Sequence, residues 1–517
     1  MINTVLLNIS LIVLCIYSFK KIRHGLHMLQ LEYYRNERYN AWIKKNSKKT
    51  FSYRDLLLLV SSAICIVNIR IGLIITLILS ILLYYARNIY QEKKAFVVTG
   101  RVKRIYIVEF IVFAIIILLT NLNIYSIFIA DLLVIFAYYF VKLLNTVNLP
   151  IERTIQNKFI KKAKNKLKQM NDLKIIGLTG SYGKTSTKYI VSTILNQKYN
   201  VLKTPKSYNT QMGIVKTINE SLKPTDQVFV CEMGASEVGN IKKLANLVSP
   251  TIGIVTSIGP QHLETFGSLE NIKKTKFELA DSLPDDGIAF LNYEDENIKS
   301  VNYARNKITY GLSPENDYYA TETEIEEMGS KFIVHTKNNE EIPVSTKLLG
   351  EHNIINIVGA VAIAKELNLT NEQIQLGIKL LKPVEHRLEL KKHANGTIII
   401  DDAYNSNPKG AKMAVEVLGR FKNKKRILVT PGMVELGDKL YEYNKMFGMQ
   451  AASNCDYVIL VGEKQAEPIY DGLIEKKFDK NKIYIAKDFE HARIKMNEWM
   501  DSNTVILLEN DLSDNYL

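Results

Sequence analysis

The sequence predicts an α-helical membrane bundle followed by α/β architecture. Three observations carry that reading. Long apolar runs are confined to the first 145 or so of 517 residues. From Asn171 onward, short β-rich runs alternate with helical patterns. The formal net charge of +14 gathers between the apolar runs rather than along the whole chain. At roughly 150 residues per domain the length suggests about three domains. A composition of 47% hydrophobic and 23% charged residues excludes a disordered chain. The four cysteines, Cys15, Cys65, Cys231 and Cys455, form no C-x-x-C pair. That excludes a disulfide scaffold and a cysteine zinc ribbon and fits a reducing compartment.

The apolar runs come first. Ile2–Phe19 is followed at once by Lys20, Lys21 and Arg23. Leu56–Val67 and Ile71–Ala86 are separated by Asn68, Ile69 and Arg70, and Ile105–Leu122 and Ile124–Val141 by Asn123. With Leu56–Val67 recruiting Phe51–Asp55, these make about five spans over residues 1–145. Lys20–Arg54 holds ten Lys/Arg against two Glu, and Arg87–Arg104 six against one, whereas one opposite turn carries only Arg70 and the other no charge. The positive-inside rule then puts the N-terminus outside and both basic loops inside. It makes the chain a multi-pass protein of the cytoplasmic membrane, with everything after Val141 facing the cytoplasm. No nucleic-acid motif accompanies the basic loops, so topology and anionic lipid explain them. Ile2–Phe19 has neither the basic n-region nor the small-residue site of a cleaved signal peptide. Asp131, mid-way along the last run, reads equally as a functional acid or as one hydrogen-bonded inside the bundle. Residues 146–171 read as a basic amphipathic linker helix. Ile151, Ile155, Phe159, Ala163, Leu167 and Met170 recur every three or four residues, on a helix that either lies on the inner leaflet or packs on the next domain.

The α/β part shows strand patterns at Lys174–Thr179, Gln227–Glu232, Ile252–Ser257, Thr397–Asp401, Arg426–Thr430, Tyr457–Val461, Lys482–Ala486 and Thr504–Leu508. Near-continuous apolar strands between helices imply parallel sheets covered on both faces. Lys307–Tyr310 and Lys331–Thr336 border an acidic stretch and suggest a small antiparallel insert. A boundary near Pro383–Glu385 divides a domain over 172–384 from a Rossmann-like α/β domain over 385–517.

Strand Lys174–Thr179 runs into Gly180-Ser181-Tyr182-Gly183-Lys184-Thr185-Ser186 and then a helix. The glycines let backbone N–H groups face an anion, and the helix N-terminus adds its dipole. Lys184 suits terminal phosphates and the Thr185 hydroxyl suits Mg²⁺, so the central domain reads as a P-loop-type ATPase. The standard pattern fails by one glycine, since Leu178 stands five positions before Gly183.

The string TGSYGKTST resembles the shortened loop of the Mur ligase family, most closely its D-alanyl-D-alanine-adding branch. The resemblance continues in order through TPKSYNTQMGI, EMGASEVGNI, SIGPQHLETFGS, KTKFELA, LNYEDEN, GEHNIIN, HRLE, DDAYNSNP and GMVELG, covering about Lys174–Gly437. It implies an ATP-dependent carboxylate–amine ligase of peptidoglycan or cell-envelope synthesis that acts through an acyl phosphate. ATP and Mg²⁺ are the implied cofactors, and the partners are a carboxylate acceptor and an amino acid or dipeptide amine. By resemblance Gly180, Ser181, Gly183, Lys184, Thr185 and Ser186 hold the phosphates, and Thr185, Glu232, His262 and a carbamylated Lys276 serve the metals. His352 and Asn353 face adenine, with Asn356 as their structural partner. Arg387 closes onto the phosphates, Asp402 takes the ribose, and Asn209, Asn405 and Asn407 lie on the substrate side. Lys184, His262, Lys276 and Arg387 form the implied catalytic set. Without the resemblance, Lys276, Arg387 and Asp402 would read as solvated charges, the asparagines as turn or cap residues, and Glu232 equally as ligand or salt-bridged acid.

Two departures stand out. The family's soluble members begin with a domain that grips a uridine diphosphate sugar, and here apolar helices take that place. They also carry a Lys-Gly-Ser segment near the C-terminus, where this chain reads ILLENDLSDNYL. The phosphate half of the site is kept while both recognition ends differ, which leaves room for a lipid-linked acceptor. A poly-γ-glutamate-type polymer ligase and a non-catalytic ATP-binding membrane partner are the alternatives.

Overall fold

The computed structural model describes residues 2–86, 95–120, 123–327, 329–404 and 406–511. Part of the second basic loop (87–94), the end of the expected span Ile105–Leu122, Asn405 and the final residues 512–517 lie outside them. The chain divides into two compact units, one ending at Asn157 and one beginning at Lys158.

The first unit is helical. Ile2–Leu31, Ser47–Val67 and Ile69–Ala86 are long and apolar enough to cross a membrane, and a fourth span results if Tyr125–Ile135 and Ala137–Lys168, bent by 88°, count as one. About five straight spans were expected. A helix does form over Gly100–Thr120, but it carries Arg101, Lys103, Arg104 and Glu109 and is not in that set among the described residues. The first helix does not stop at Lys20. It continues to Leu31 with Lys21 buried, because the Lys21 ammonium meets Asp55 at 2.7 Å and Tyr17 donates to the same carboxylate at 2.6 Å. A paired charge can stay inside an apolar bundle where an unpaired one cannot. Asp131 is likewise buried and accepts from Ser62.

The run Ile124–Val141 is not one helix. It breaks at Phe136, and the next helix runs unbroken over Ala137–Lys168 through Pro150, so the expected separate linker over 146–171 is the later part of that longer helix. Its end belongs to the second unit. Ala163 is buried with Ile160, Leu167 and Met170 against Ile214, Ile218 and Leu222. Lys166 donates to the Ile218 carbonyl at 2.9 Å, near the C-terminus of helix Gln211–Ser221, where cations are favoured. Of the two readings of this segment, docking on the α/β unit is the one observed.

The second unit holds two sheets. The first contains β1 (Lys174–Thr179), β2 (Val201–Lys203), β3 (Val228–Glu232), β4 (Ile252–Val255), β5 (Ile288–Asn292), β6 (Lys307–Gly311), β7 (Tyr318–Glu326), β8 (Gly329–His335) and β9 (Glu341–Thr346), in the order β2-β3-β1-β4-β5-β6-β7-β8-β9. The second contains β10 (Glu389–Lys392), β11 (Ile398–Asp402), β12 (Lys425–Thr430), β13 (Tyr457–Val461), β14 (Ile483–Ala486) and β15 (Thr504–Glu509), in the order β10-β11-β15-β12-β13-β14. Both are mixed rather than purely parallel. β7, β8 and β9 pair antiparallel, as do β10 and β11. The antiparallel insert is also not separate: β6 pairs parallel with both β5 and β7, so it prolongs the main sheet.

Helix Glu351–Glu366 is buried at every position from Asn353 to Ala364. A helix apolar all round must be enclosed, and this one packs beside helix Lys184–Leu195 and against β5, β6 and β7. The core thereby fixes two helix N-termini, at Lys184 and Glu351. Ile357, fully buried in that core, tests the arrangement. Ile357→Ala should cost about 2–5 kcal/mol of stability, read as an earlier unfolding midpoint in denaturant followed by circular dichroism.

Candidate functional site

β3, β1 and β4 lie side by side next to the β2 edge of the first sheet, and their C-terminal ends carry the loop Gly180–Gly183, Glu232 and the segment after Val255. In parallel α/β sheets ligands bind at this edge. Gly180 has φ +154°, and a Cβ there would stand 2.1 Å from Thr256 Oγ1. Gly183 has φ +77° and caps helix Lys184–Leu195 in a left-handed conformation. Both positions therefore demand glycine. The Ser181 and Tyr182 N–H groups donate to Ser257, at 2.7 and 2.8 Å, so these two do not face an incoming anion. The N–H groups of the helix's first turn, at Lys184, Thr185 and Ser186, have no intrahelical acceptor and supply the anion-facing end. The Ser181 hydroxyl is tied to the Gly259 carbonyl at 3.0 Å.

The Lys184 ammonium folds back onto the Gly180 and Ser181 carbonyls, at 2.6 and 2.8 Å. Burial lowers its pKa to about 8; nearby Arg387 pushes the same way and Glu232 against it. Glu232, at the end of β3, is buried and collects three donors. Thr185 Oγ1 reaches it at 3.2 Å, Asn209 Nδ2 at 3.0 Å and Lys188 Nζ at 2.8 Å. Glu232, Thr185 and Asn209 are thus brought together. Lys188 was missed. It is fully buried, one helical turn after Lys184, and that i,i+4 spacing was the available signal.

Lys276 is buried within helix Leu269–Asp281, and burial together with the Lys184 charge drives its pKa far below the ordinary lysine value. His262 has φ +53°, and its Nδ1 lies 2.5 Å from Glu435 Oε2, a contact between the two sheets' loops that was not anticipated. Among the described residues no three His, Cys, Asp or Glu side chains converge as a metal cluster. A carboxylate beside a hydroxyl at the phosphate loop nevertheless suits Mg²⁺, which is commonly held by one or two carboxylates and phosphate oxygens. Glu232 and Thr185 meet that description.

Two cavities flank the loop. One, of about 360 Å³, is lined by Gly183, Ser186, His352, Asn356, Arg387, Asp402, Asn407 and Glu509. Burial, and then the Lys409 charge, lowers the His352 pKa to about 4 and keeps the ring neutral. His352 Nδ1 and Asn356 Nδ2 have no hydrogen-bond partner among the described residues. Asn353 does not join them. Its amide donates to the Leu349 carbonyl at 2.8 Å, and it lines the other cavity, of about 520 Å³, with Thr185, Lys206, Arg387 and Tyr404. The expected His352–Asn353 pair is therefore divided, because consecutive residues of a helix diverge by about 100°, and Asn356 takes the place beside His352. The Arg387 guanidinium stacks 4.5 Å from the Tyr404 ring centre, and the Tyr404 hydroxyl meets Ser207 at 2.5 Å. Asp402 accepts from the Leu388 N–H at 3.2 Å, and burial raises its pKa to about 6. Asn407 caps helix Pro408–Gly419, accepting from the Gly410 N–H at 2.8 Å. Asn405 lies outside the described residues.

Two family models match. Residues 178–364 match the Mur ligase middle domain, and 386–509 match the model described as Mur ligase, glutamate ligase domain. Over 313 residues the chain is 32% identical to the UDP-N-acetylmuramoyl-tripeptide–D-alanyl-D-alanine ligase of Bacillus subtilis, covering 60% of this chain and 67% of that protein. The enzyme of the same name from Mycobacterium tuberculosis is 30% identical over 300 residues, 56% of this chain and 58% of that protein. The chain thus spans between somewhat over half and two thirds of these relatives' lengths. Among solved structures, MurF ligase from Thermotoga maritima in complex with ADP aligns with TM-score 0.62 and 27% identity, over 69% of this chain and 80% of that one. MurF from Acinetobacter baumannii aligns with TM-score 0.61 and 26% identity, over 69% and 77%.

Two outcomes test the geometry. Lys188→Met strands a buried carboxylate and should cost about 3–5 kcal/mol, while the double variant Lys188→Met/Glu232→Gln recovers most of it in the same unfolding assay. Lys184 titrates at about 8 in the folded chain against 10.5 ordinarily. Between those values the unfolded chain holds a proton that the folded chain lacks, so this group makes stability rise with pH from about 8 to 10.5. Lys184→Met should flatten that part of the nucleotide-free protein's stability profile.

Proposed function

The chain belongs to the Mur ligase family, and from that premise we propose that it is a membrane-anchored, ATP-dependent carboxylate–amine ligase, MurF-like, of peptidoglycan or cell-envelope synthesis. The observation that carries the proposal is the phosphate-loop helix with Thr185 and Lys188 on Glu232, beside a cavity that also receives Arg387 and Asp402 from the second sheet's side.

A carboxylate resists amines at neutral pH. Transfer of the γ-phosphoryl group from ATP to an acceptor carboxylate forms an acyl phosphate and ADP. The amine then attacks the carbonyl carbon, the C–N bond forms, the carbon–oxygen bond to phosphate breaks, and inorganic phosphate leaves. Such transfer is won by positioning and charge neutralisation. The first-turn N–H groups and Lys184 bind the phosphates, and Arg387 approaches from the second sheet's side. Glu232 and Thr185 would hold Mg²⁺, which neutralises phosphate charge when bound. Lys188 holds Glu232 in place. Lys276, whose pKa burial lowers, is suited to carbamylation, and His262 serves the same metal site. His352 and Asn356 face the base, Asp402 the ribose, and Asn209, Asn405 and Asn407 the substrate side. The central domain works as a P-loop-type ATPase module over 172–384, and the Rossmann-like domain over 385–517 closes on it. The apolar helices of residues 1–145 anchor the chain in the cytoplasmic membrane with both domains facing the cytoplasm. That location favours a lipid-linked acceptor, with an amino acid or dipeptide as amine.

Purified full-length protein should release phosphate from ATP only when carboxylate and amine are both supplied, and ¹⁸O from the carboxylate should appear in that phosphate. Lys184→Ala should lower the rate at least about 10³-fold, by analogy with loss of other charge-stabilising groups. Full ligation by Lys184→Ala would remove the phosphate-site assignment. A product ladder spaced by one amino acid would favour the polymer-ligase reading, and ATP binding without amide formation a non-catalytic partner.

A further inference from the structure

Asp402 and Glu509 end adjacent parallel strands and face each other in register. Glu509 is 1% exposed, yet it reaches the wall of the 360 Å³ cavity. One of its oxygens accepts from the Ser406 hydroxyl at 2.6 Å, while Oε2 has no partner among the described residues other than the neighbouring Asp402 carboxyl. Two buried carboxyls so close cannot both be ionised without a cation or a shared proton. Burial and then the Asp402 charge push Glu509 well above the usual carboxyl range. With Arg387 near both groups, the pair sets carboxyl oxygens side by side on the cavity wall.

The rest of the cavity indicates what such a pair would meet. At one side stand Gly183 and Arg387, fit for phosphates. The Asn356 amide, itself 5% exposed, lies against Gly183, and one helical turn from it the neutral His352 ring, its Nδ1 without a partner among the described residues, is fit for the edge of a base. A ligand with an anionic end and a flat polar edge carries a sugar between them, and sugar hydroxyls are both donors and acceptors.

We propose that Glu509 is a nucleotide-recognition residue of this chain, which together with Asp402 reads the two ribose hydroxyls of the bound nucleotide. The assignment rests on the ATP-site reading above and adds to it a residue from the segment where the sequence departs most from the family pattern. Removing one hydroxyl from the ligand leaves the buried pair one partner short, and so costs affinity.

The test is calorimetric titration of the full-length protein in detergent with Mg²⁺ and ATP, 2′-deoxyATP or 3′-deoxyATP, needing no acceptor or amine. The wild type should bind ATP about ten-fold or more tightly than at least one deoxy analogue. Glu509→Leu should bring the three ligands within about two-fold of one another, and Glu509→Gln, which keeps a donor and an acceptor, should retain part of the preference. Equal binding of all three by the wild type overturns the sugar assignment while leaving the ATP site intact. A full preference kept by Glu509→Leu overturns the role of Glu509. No binding of ATP by the folded wild type overturns the ATP-site reading itself. If Glu509→Leu does not fold, Ser406→Ala, which frees Glu509 from its anchor, must weaken the preference for the proposal to stand.

Discussion

A single buried carboxylate holds the centre of this molecule together. Glu232 ends β3 where its charge can reach no water, and a buried charge is tolerable only when paired and hydrogen-bonded. Its partners come from two other segments. Thr185 and Lys188 lie on the helix that follows β1, and Asn209 lies in the loop before helix Gln211–Ser221. The Glu232 N–H is also tied to the Thr204 hydroxyl at 3.1 Å. Strand end, phosphate-loop helix and the 204–210 segment are thus fixed relative to one another by one charge. The loop glycines set the backbone around it, and Lys184 rests on the Gly180 and Ser181 carbonyls, at the end of the helix that would seat a phosphate.

That centre is only half of the site. The other half comes from the second sheet, whose loops bring Arg387, Asp402, Tyr404 and Glu435 to the same region. Their contacts with the first half include polar ones, His262 with Glu435 and Ser207 with Tyr404, and an apolar one, Leu349, which is buried in the second sheet's core. The polar contacts exchange readily with water or ligand and cost little to remake. A site divided in this manner draws its polar groups from two sheets, so any movement between them would change which groups face the cavity.

Much of this was legible beforehand, and the residues show why the rest was not. Strands β1, β3, β12 and β13 announce themselves as apolar runs between turn signals, and they were placed to within a residue. β2, Val201–Lys203, and β10, Glu389–Lys392, are short, half-buried and rich in lysine, so no run exists to be read. The first apolar run was ended at Phe19 because Lys20, Lys21 and Arg23 follow it at once. What carries the helix on is Asp55, thirty-four residues away in sequence, which no local pattern reveals. The site followed the same division. Glu232, His262 and Asp402 are found from motifs, whereas their partners Lys188, Glu435 and Glu509 are recognised from contacts, Lys188 alone having left a trace in its i,i+4 spacing from Lys184.

The buried charges of the two compact units obey one rule with different outcomes. In the helical unit Lys21 and Asp55 neutralise each other, and around Glu232 Lys188 does the same. Both arrangements are complete, and each stiffens the elements it joins. Asp402 and Glu509 break the pattern, because two acids share one cavity wall near the Arg387 guanidinium and Glu509 Oε2 has no partner among the described residues other than Asp402. A fold gains no stability from burying two acids together, and two apolar residues of similar volume would serve better. Polar groups kept at such a cost mark the places where a structure is completed by something it binds. The same reasoning separates Asn356 from Asn353. Asn353 spends its amide on the Leu349 carbonyl just before its own helix, while Asn356, equally buried, lines the cavity with an Nδ2 that has no partner among the described residues.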